Sequence, residues 1–176
     1  MQSLRDYRTL LAGVDRCCNR IGQQYAEHIV CIKACSGNCC RIHLSIFAVE
    51  AFSLAGALQE LPVEKADFIK QRARDVTSFG PCPLLEDGAC LMYRARLVIC
   101  RTHGLPMLSE YRGTSSVGYC HKNFQNLSTI PDDAVIDLNR LNQSLKAVNR
   151  QFMDAFAGSV LLQERFTVGE ALLLDV

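Results

Sequence analysis

The chain has 176 residues, 49% of them apolar, with 19 basic and 18 acidic side chains and a formal net charge of +1. That length and apolar share suffice for one core without covalent staples, and the interspersed charges exclude a basic face that tracks a phosphate backbone. The absence of tryptophan excludes a broad stacking platform for bases, and no apolar run approaches the roughly 20 residues that span a bilayer, so neither nucleic acid nor a membrane is expected as a partner.

The first twenty residues, MQSLRDYRTLLAGVDRCCNR, are broken by charges every few positions and hold no apolar run of the signal-peptide kind, so the expectation is a cytoplasmic chain with reduced thiols. From Leu4 to Ile29, apolar residues recur at Leu4, Tyr7, Leu11, Val14, Cys18, Ile21 and Tyr25, three or four apart. This spacing predicts a long amphipathic helix with Arg5, Arg8, Asp15, Arg20 and Gln24 on its wet face. The run Leu44 to Leu61 is apolar on nearly every side, which predicts a buried central helix. A second helix follows: Pro62 suits its start, Glu64 its positive end and Lys70, Arg72 and Arg74 its negative end, with Val63, Ala66, Ile69, Ala73 and Val76 as its core stripe. These helices, about 25 and 20 Å long, form a hairpin that returns the chain around Cys82 to the neighbourhood of Cys40.

Between Phe79 and Phe124 the pattern is irregular, which predicts a loop region with one short strand or turn at Leu97 to Ile99. A last long helix is signalled by Leu138, Leu141, Leu145, Val148 and Phe152, capped by Asp137 and stopped at Gly158. The fold class expected is mainly α: one compact helical domain over residues 1–176, with a cysteine-rich, metal-ordered loop region.

The ten cysteines are unevenly spread. Cys17 and Cys18 lie on the first helix and read as packing residues. Cys31, Cys35, Cys39 and Cys40 fall in the decapeptide CIKACSGNCC, and Cys82, Cys90, Cys100 and Cys120 follow the hairpin. Thiolates at such spacings, with Ser36-Gly37 allowing sharp turns, suit a soft metal ion or an iron–sulfur cluster, and these eight are the expected metal ligands. Adjacent Cys39 and Cys40 point in different directions, so the eight suit either two four-thiolate sites or one cluster with accessory sulfurs. A disulfide framework is unnecessary for a chain with this much core.

Two stretches carry a family resemblance: CIKACSGNCC, and CPLLEDGACLMYRARLVICRTHG with Cys82-Pro83, Gly88, Cys90, Tyr93, Arg96 and Cys100-Arg101. In these the chain resembles the YkgJ-type cysteine-cluster proteins, named for a CxxCxxCC motif. Leu97 stands where that family usually has proline, and the CSGNCC loop is one residue longer than the spacer in the motif. The downstream THGLP, Tyr119-Cys120 and Asn123-Phe124 are similar to one branch of the family. The resemblance implies bound zinc or iron. Flagellin lysine methylases share a cysteine motif of this type at greater distance, and no residue beyond the cysteines carries that activity here.

His103 and His121, each near a cysteine, read as metal ligands, donors to sulfur or exposed loop residues, and a Cys–His nucleophilic pair is the weaker reading. Arg94, Arg96 and Arg101 offset thiolate charge, or else bind an anionic substrate or raise a cluster's reduction potential; Glu50, inside the apolar run, requires a partner such as an arginine or a loop end, or else serves as a metal ligand or base. The functional expectation is a metal-binding protein holding zinc or iron, as ions or as an iron–sulfur cluster, with a redox, metal-handling or modification role. The alternative is a structural zinc module presenting a helical surface to an unidentified protein partner. Whether the chain is an enzyme stays open, since it has no Gly-rich phosphate loop, HExxH helix or GxSxG elbow.

Overall fold

Tyr7, Val14 and Ile21, spaced by two helical turns, are the buried face of α1 (Gln2–Gln24) in the computed structural model, which describes residues 2–30, 38–41, 43–77, 80–155 and 163–176. The helix ends earlier than the periodicity to Ile29 suggests. Beyond Gln24 the chain makes a 3-10 turn at Ala26–His28, and the backbone turns outward to the rest of the protein: His28 O accepts from Phe124 N–H at 2.7 Å, and Val30 N–H donates to Asn123 Oδ1 at 3.0 Å.

The apolar run from Leu44 is not helical from its start. Ser45–Phe47 forms β1, antiparallel to β7 (Arg165–Thr167) with Ile46 opposite Phe166, and α2 (Ala48–Gln59) begins only after it. Both strands are three residues long and bury an apolar residue at the centre; β7 alternates, whereas β1 buries both Ile46 and Phe47 and so reads as part of the continuous apolar run. Glu50 sits in the first turn of α2, and its Oε2 accepts from Phe47 N–H at 3.2 Å. Helix α3 (Val63–Asp75) follows Leu61-Pro62, buries Ile69 and Ala73, and leaves Val63, expected in its core stripe, 75% exposed.

The region from 80 to 124 is richer in regular structure than its composition suggests. A two-residue turn with Asp87 (φ 46°) and Gly88 (φ 77°) joins β2 (Leu85–Glu86) to β3 (Ala89–Cys90), the positive-φ pair that tight hairpins require. Leu97, extended, leads into α4 (Val98–Thr102), so Leu97–Ile99 is a helix start and not a strand. Then β4 (Met107–Tyr111) pairs antiparallel with β5 (Thr114–Gly118) and parallel with β6 (Ile136–Asp137).

Asp137 Oδ1 accepts from Arg140 N–H at 2.9 Å and so caps α5 (Leu138–Ala155), as its position suggests; Gly158 lies outside the described residues. Thr167 and Glu170 form a reciprocal capping box that starts α6 (Val168–Leu172). Mainly helical is therefore the correct class, with three small sheets attached. Helix α1 packs on α2, α4 and α5, and α6 covers α2 and α3. Two apolar clusters result: a large one holding Tyr7, Val49, Leu54, Ile69, Phe152 and Phe166, and a small one of Ile21, Leu105, Phe124 and Ala134. No helix among the described residues is long and apolar enough to cross a membrane.

Candidate thiol site

The return of the chain through α2 and α3 meets Cys40 with a direct contact: Cys82 N–H donates to Cys40 O at 2.8 Å. Cys82 O in turn accepts from Leu85 N–H at 2.9 Å, and Leu85 is the cross-strand partner of Cys90. Arg72 of α3 fixes this hairpin from below. Its Nε donates to Pro83 O at 2.8 Å, its Nη2 to Leu85 O at 2.5 Å, and its Nη1 pairs with Glu86 at 2.9 Å.

Cys100 arrives on α4, whose first turn is held by the core. Glu50 Oε1 accepts from Val98 N–H at 3.4 Å, so this one carboxylate ties the start of α2 to the start of α4. Leu97 has φ −66°, the value a proline ring would impose, and gives α4 an extended entry. Arg96 stacks over Tyr93 and donates to Cys100 O at 3.3 Å, while Arg101 pairs with Asp15 of α1 at 2.6 Å and donates to Arg96 O and Arg94 O.

Burial pushes the Cys100 thiol up to about 12, and the nearby Cys82, Cys90 and Cys40 thiolates add to the shift. Four sulfurs distant in sequence therefore share one electrostatic environment, although Cys100 is on a helix and Cys90 on a strand where loops were expected. Two openings reach the group. Cys82 lines a cleft of about 170 Å³ beside Gly169, and Cys90 lines a groove of about 800 Å³ between α1, α2, α3 and the Cys90–Ala95 segment.

Of the other expected ligands, only Cys120 has a described side chain, and it is not among the thiols that act on Cys100. Cys120, half-buried, donates its N–H to Gly104 O at 3.3 Å. Cys31 and Cys35, and the side chain of Cys39, lie outside the described residues. Cys17 and Cys18 are on α1 as expected, and burial drives the Cys18 thiol up to about 11. His103 and His121 are exposed, and partial desolvation lowers the His103 pKa.

The metal-binding expectation requires correction. Among the described residues no group of three or more His, Cys, Asp or Glu side chains is placed to hold a metal ion. Zinc or iron coordination, the iron–sulfur cluster and the structural zinc module all depend on such a group. Electrostatic coupling reaches further than a metal–sulfur bond of about 2.3 Å, so the thiols influence one another without forming a ligand set. Glu50 is likewise no ligand: it accepts backbone N–H groups and the Tyr7 hydroxyl.

No family model, no curated protein and no solved structure matches the chain.

Sequence reasoning missed Arg72 as the clamp on the Cys82–Cys90 hairpin, because a cation in the last turn of a helix is already accounted for by the helix dipole. It also missed the groove over Cys90, whose lining comes from five separate segments. The only available signal was Arg94 next to Cys90.

Proposed function

We propose that the protein is a thiol–disulfide exchange protein, related in the arrangement of its cysteines to the YkgJ-type family and acting through Cys40, Cys82 and Cys90. The observation that carries this reading is that Cys40, Cys82 and Cys90 all act electrostatically on Cys100, next to a groove lined by Cys90. Thiol exchange needs an accessible sulfur, a cationic setting that favours its thiolate, and a second sulfur within reach. Cys90 lines an open groove, and Arg8, Lys65 and Arg94 stand in the same lining. Cys40 and Cys82, joined by a backbone hydrogen bond, stand in the same group.

In the first step the Cys90 thiolate attacks one sulfur of a low-molecular-weight disulfide, forms a mixed disulfide and releases one thiolate. In the second, Cys40 or Cys82 gives its proton to water and attacks the Cys90 sulfur, releasing the second thiolate. Two protein thiols are thereby oxidised to a disulfide, and one small disulfide is reduced to two thiols. Cys100, half-buried and with its thiol pushed up to about 12, keeps its proton at neutral pH and is the spectator of the group.

The reduced protein treated with oxidised glutathione, then alkylated and mapped by peptide mass spectrometry, should show a disulfide joining Cys90 to Cys40 or Cys82. Cys100, kept protonated, should be alkylated more slowly than Cys90 in the folded protein. Cys90→Ser should abolish the reaction and Cys17→Ser should leave it unchanged. Absence of any mixed or internal disulfide in this group would refute the reading.

A further inference from the structure

We infer that the groove over Cys90 selects disulfides that carry negative charge, a substrate preference that rests on the thiol-exchange reading. The groove encloses about 800 Å³, within the range of sites for small organic ligands. Its floor is apolar, with Leu4 and Leu11 of α1 facing Phe52, Ala57 and Leu61 of α2 and its following turn. Its charged lining is Arg8, Lys65, Arg94, Arg101 and Glu60.

These charges do not cancel. The Arg101 cation is matched by Asp15 at 2.6 Å, but Arg8, Lys65 and Arg94 make no ion pair among the described residues and face Glu60 as the one carboxylate of the lining. The bias is local, because the whole chain carries only +1. An apolar floor with a cationic rim is complementary to a molecule with an apolar middle and anionic ends, such as a disulfide whose two halves bear carboxylates. The cleft beside Cys82 makes the comparison within the same protein: among the described residues no Lys, Arg, Asp or Glu lines it, and its volume of about 170 Å³ is too small for such a substrate. Charge selection therefore belongs to the Cys90 approach.

Three alkyl disulfides of different charge test this: oxidised glutathione (anionic), hydroxyethyl disulfide (neutral) and cystamine (cationic), each rate normalised to its reaction with a neutral small thiol. The intact protein at low salt should favour the anionic over the cationic disulfide by about tenfold or more, and the ratio should fall steeply as ionic strength rises. The exposed side chains Arg8, Lys65 and Arg94 are then reversed one at a time (Arg8→Glu, Lys65→Glu, Arg94→Glu), with circular dichroism verifying the fold. Each reversal should shrink or invert the preference, and Arg8→Lys should retain it. Equal normalised rates for all three disulfides, unchanged by reversal, would overturn the charge selection while leaving thiol exchange intact. Failure of all three to react would overturn the exchange reading, and the selection with it.

Discussion

Glu50 is a carboxylate with 4% of its surface exposed, and its oxygens are occupied by Phe47 N–H, Val98 N–H and the Tyr7 hydroxyl. Burial raises its pKa above the ordinary 4.5, and the two N–H donors oppose that shift without cancelling it. A group whose folded pKa is raised binds its proton more tightly in the folded chain. Its contribution is thus fully present below about 4.5 and is lost as pH rises through the folded value. Glu50→Gln keeps one acceptor and removes the titration. At pH 4 the variant should be less stable than the parent by about 1–3 kcal/mol, the cost of one buried donor left unpaired. Between pH 4 and pH 8 that deficit should shrink or change sign, because only the parent loses stability over this window. Urea unfolding at both pH values measures it, and a deficit that does not change with pH would show that Glu50 titrates as it does in the unfolded chain.

The β2–β3 hairpin has only two residues in each strand, too few to hold itself together, so its order depends on Arg72 reaching across from α3. Arg72→Met keeps the aliphatic stem and removes two hydrogen bonds to carbonyl oxygens and the Glu86 pair. The expected result is a loss of about 1–3 kcal/mol and faster alkylation of Cys82 and Cys90. Arg74→Met, on the exposed side of the same helix, should change neither rate. Equal alkylation rates in both variants would mean that something other than Arg72 orders the hairpin. The elements best predicted from sequence were those set by local periodicity: α1, α3 and α5 follow their apolar spacing, and Asp137 caps where it was placed. Those set by a distant partner were not. Ser45–Phe47 reads as helix until Arg165–Thr167 supplies its strand, and Cys82 reads as a ligand because nothing in the local pattern distinguishes a thiol that binds metal from one that lies beside other thiols.

Across the whole molecule, α1 bridges two separate apolar clusters, burying Val14 in the large one and Ile21 in the small one. The coupled thiols belong to the first: Cys82, Cys90 and Cys100 pack against the cluster that contains Phe152, while Cys17 packs against the second. The hairpin logic foresaw that Cys40 and Cys82 meet, but the division of the core escaped it, because Phe124 reaches its site through backbone that no periodicity describes. Phe124 holds a left-handed φ of 56°, donates its N–H to His28 O and packs its ring against Tyr25 and Tyr119. Alanine at this position would keep the backbone strain and lose the ring, so Phe124→Ala should cost about 3–5 kcal/mol with no compensating relief. Phe152→Ala, which removes the edge-to-face contact with Phe52 at 5.1 Å, should cost a similar amount. The two losses should differ in their effect on Cys90. Phe52 lines the groove, so Phe152→Ala loosens one of its walls and should change the rate of Cys90 alkylation in the folded protein; Phe124→Ala should leave that rate within about twofold of the parent. The comparison is made well below the unfolding transition, where Cys90, half-buried, reacts from the folded state. Equal acceleration by both substitutions would mean that the clusters yield together and that α1 transmits the loss of one to the other.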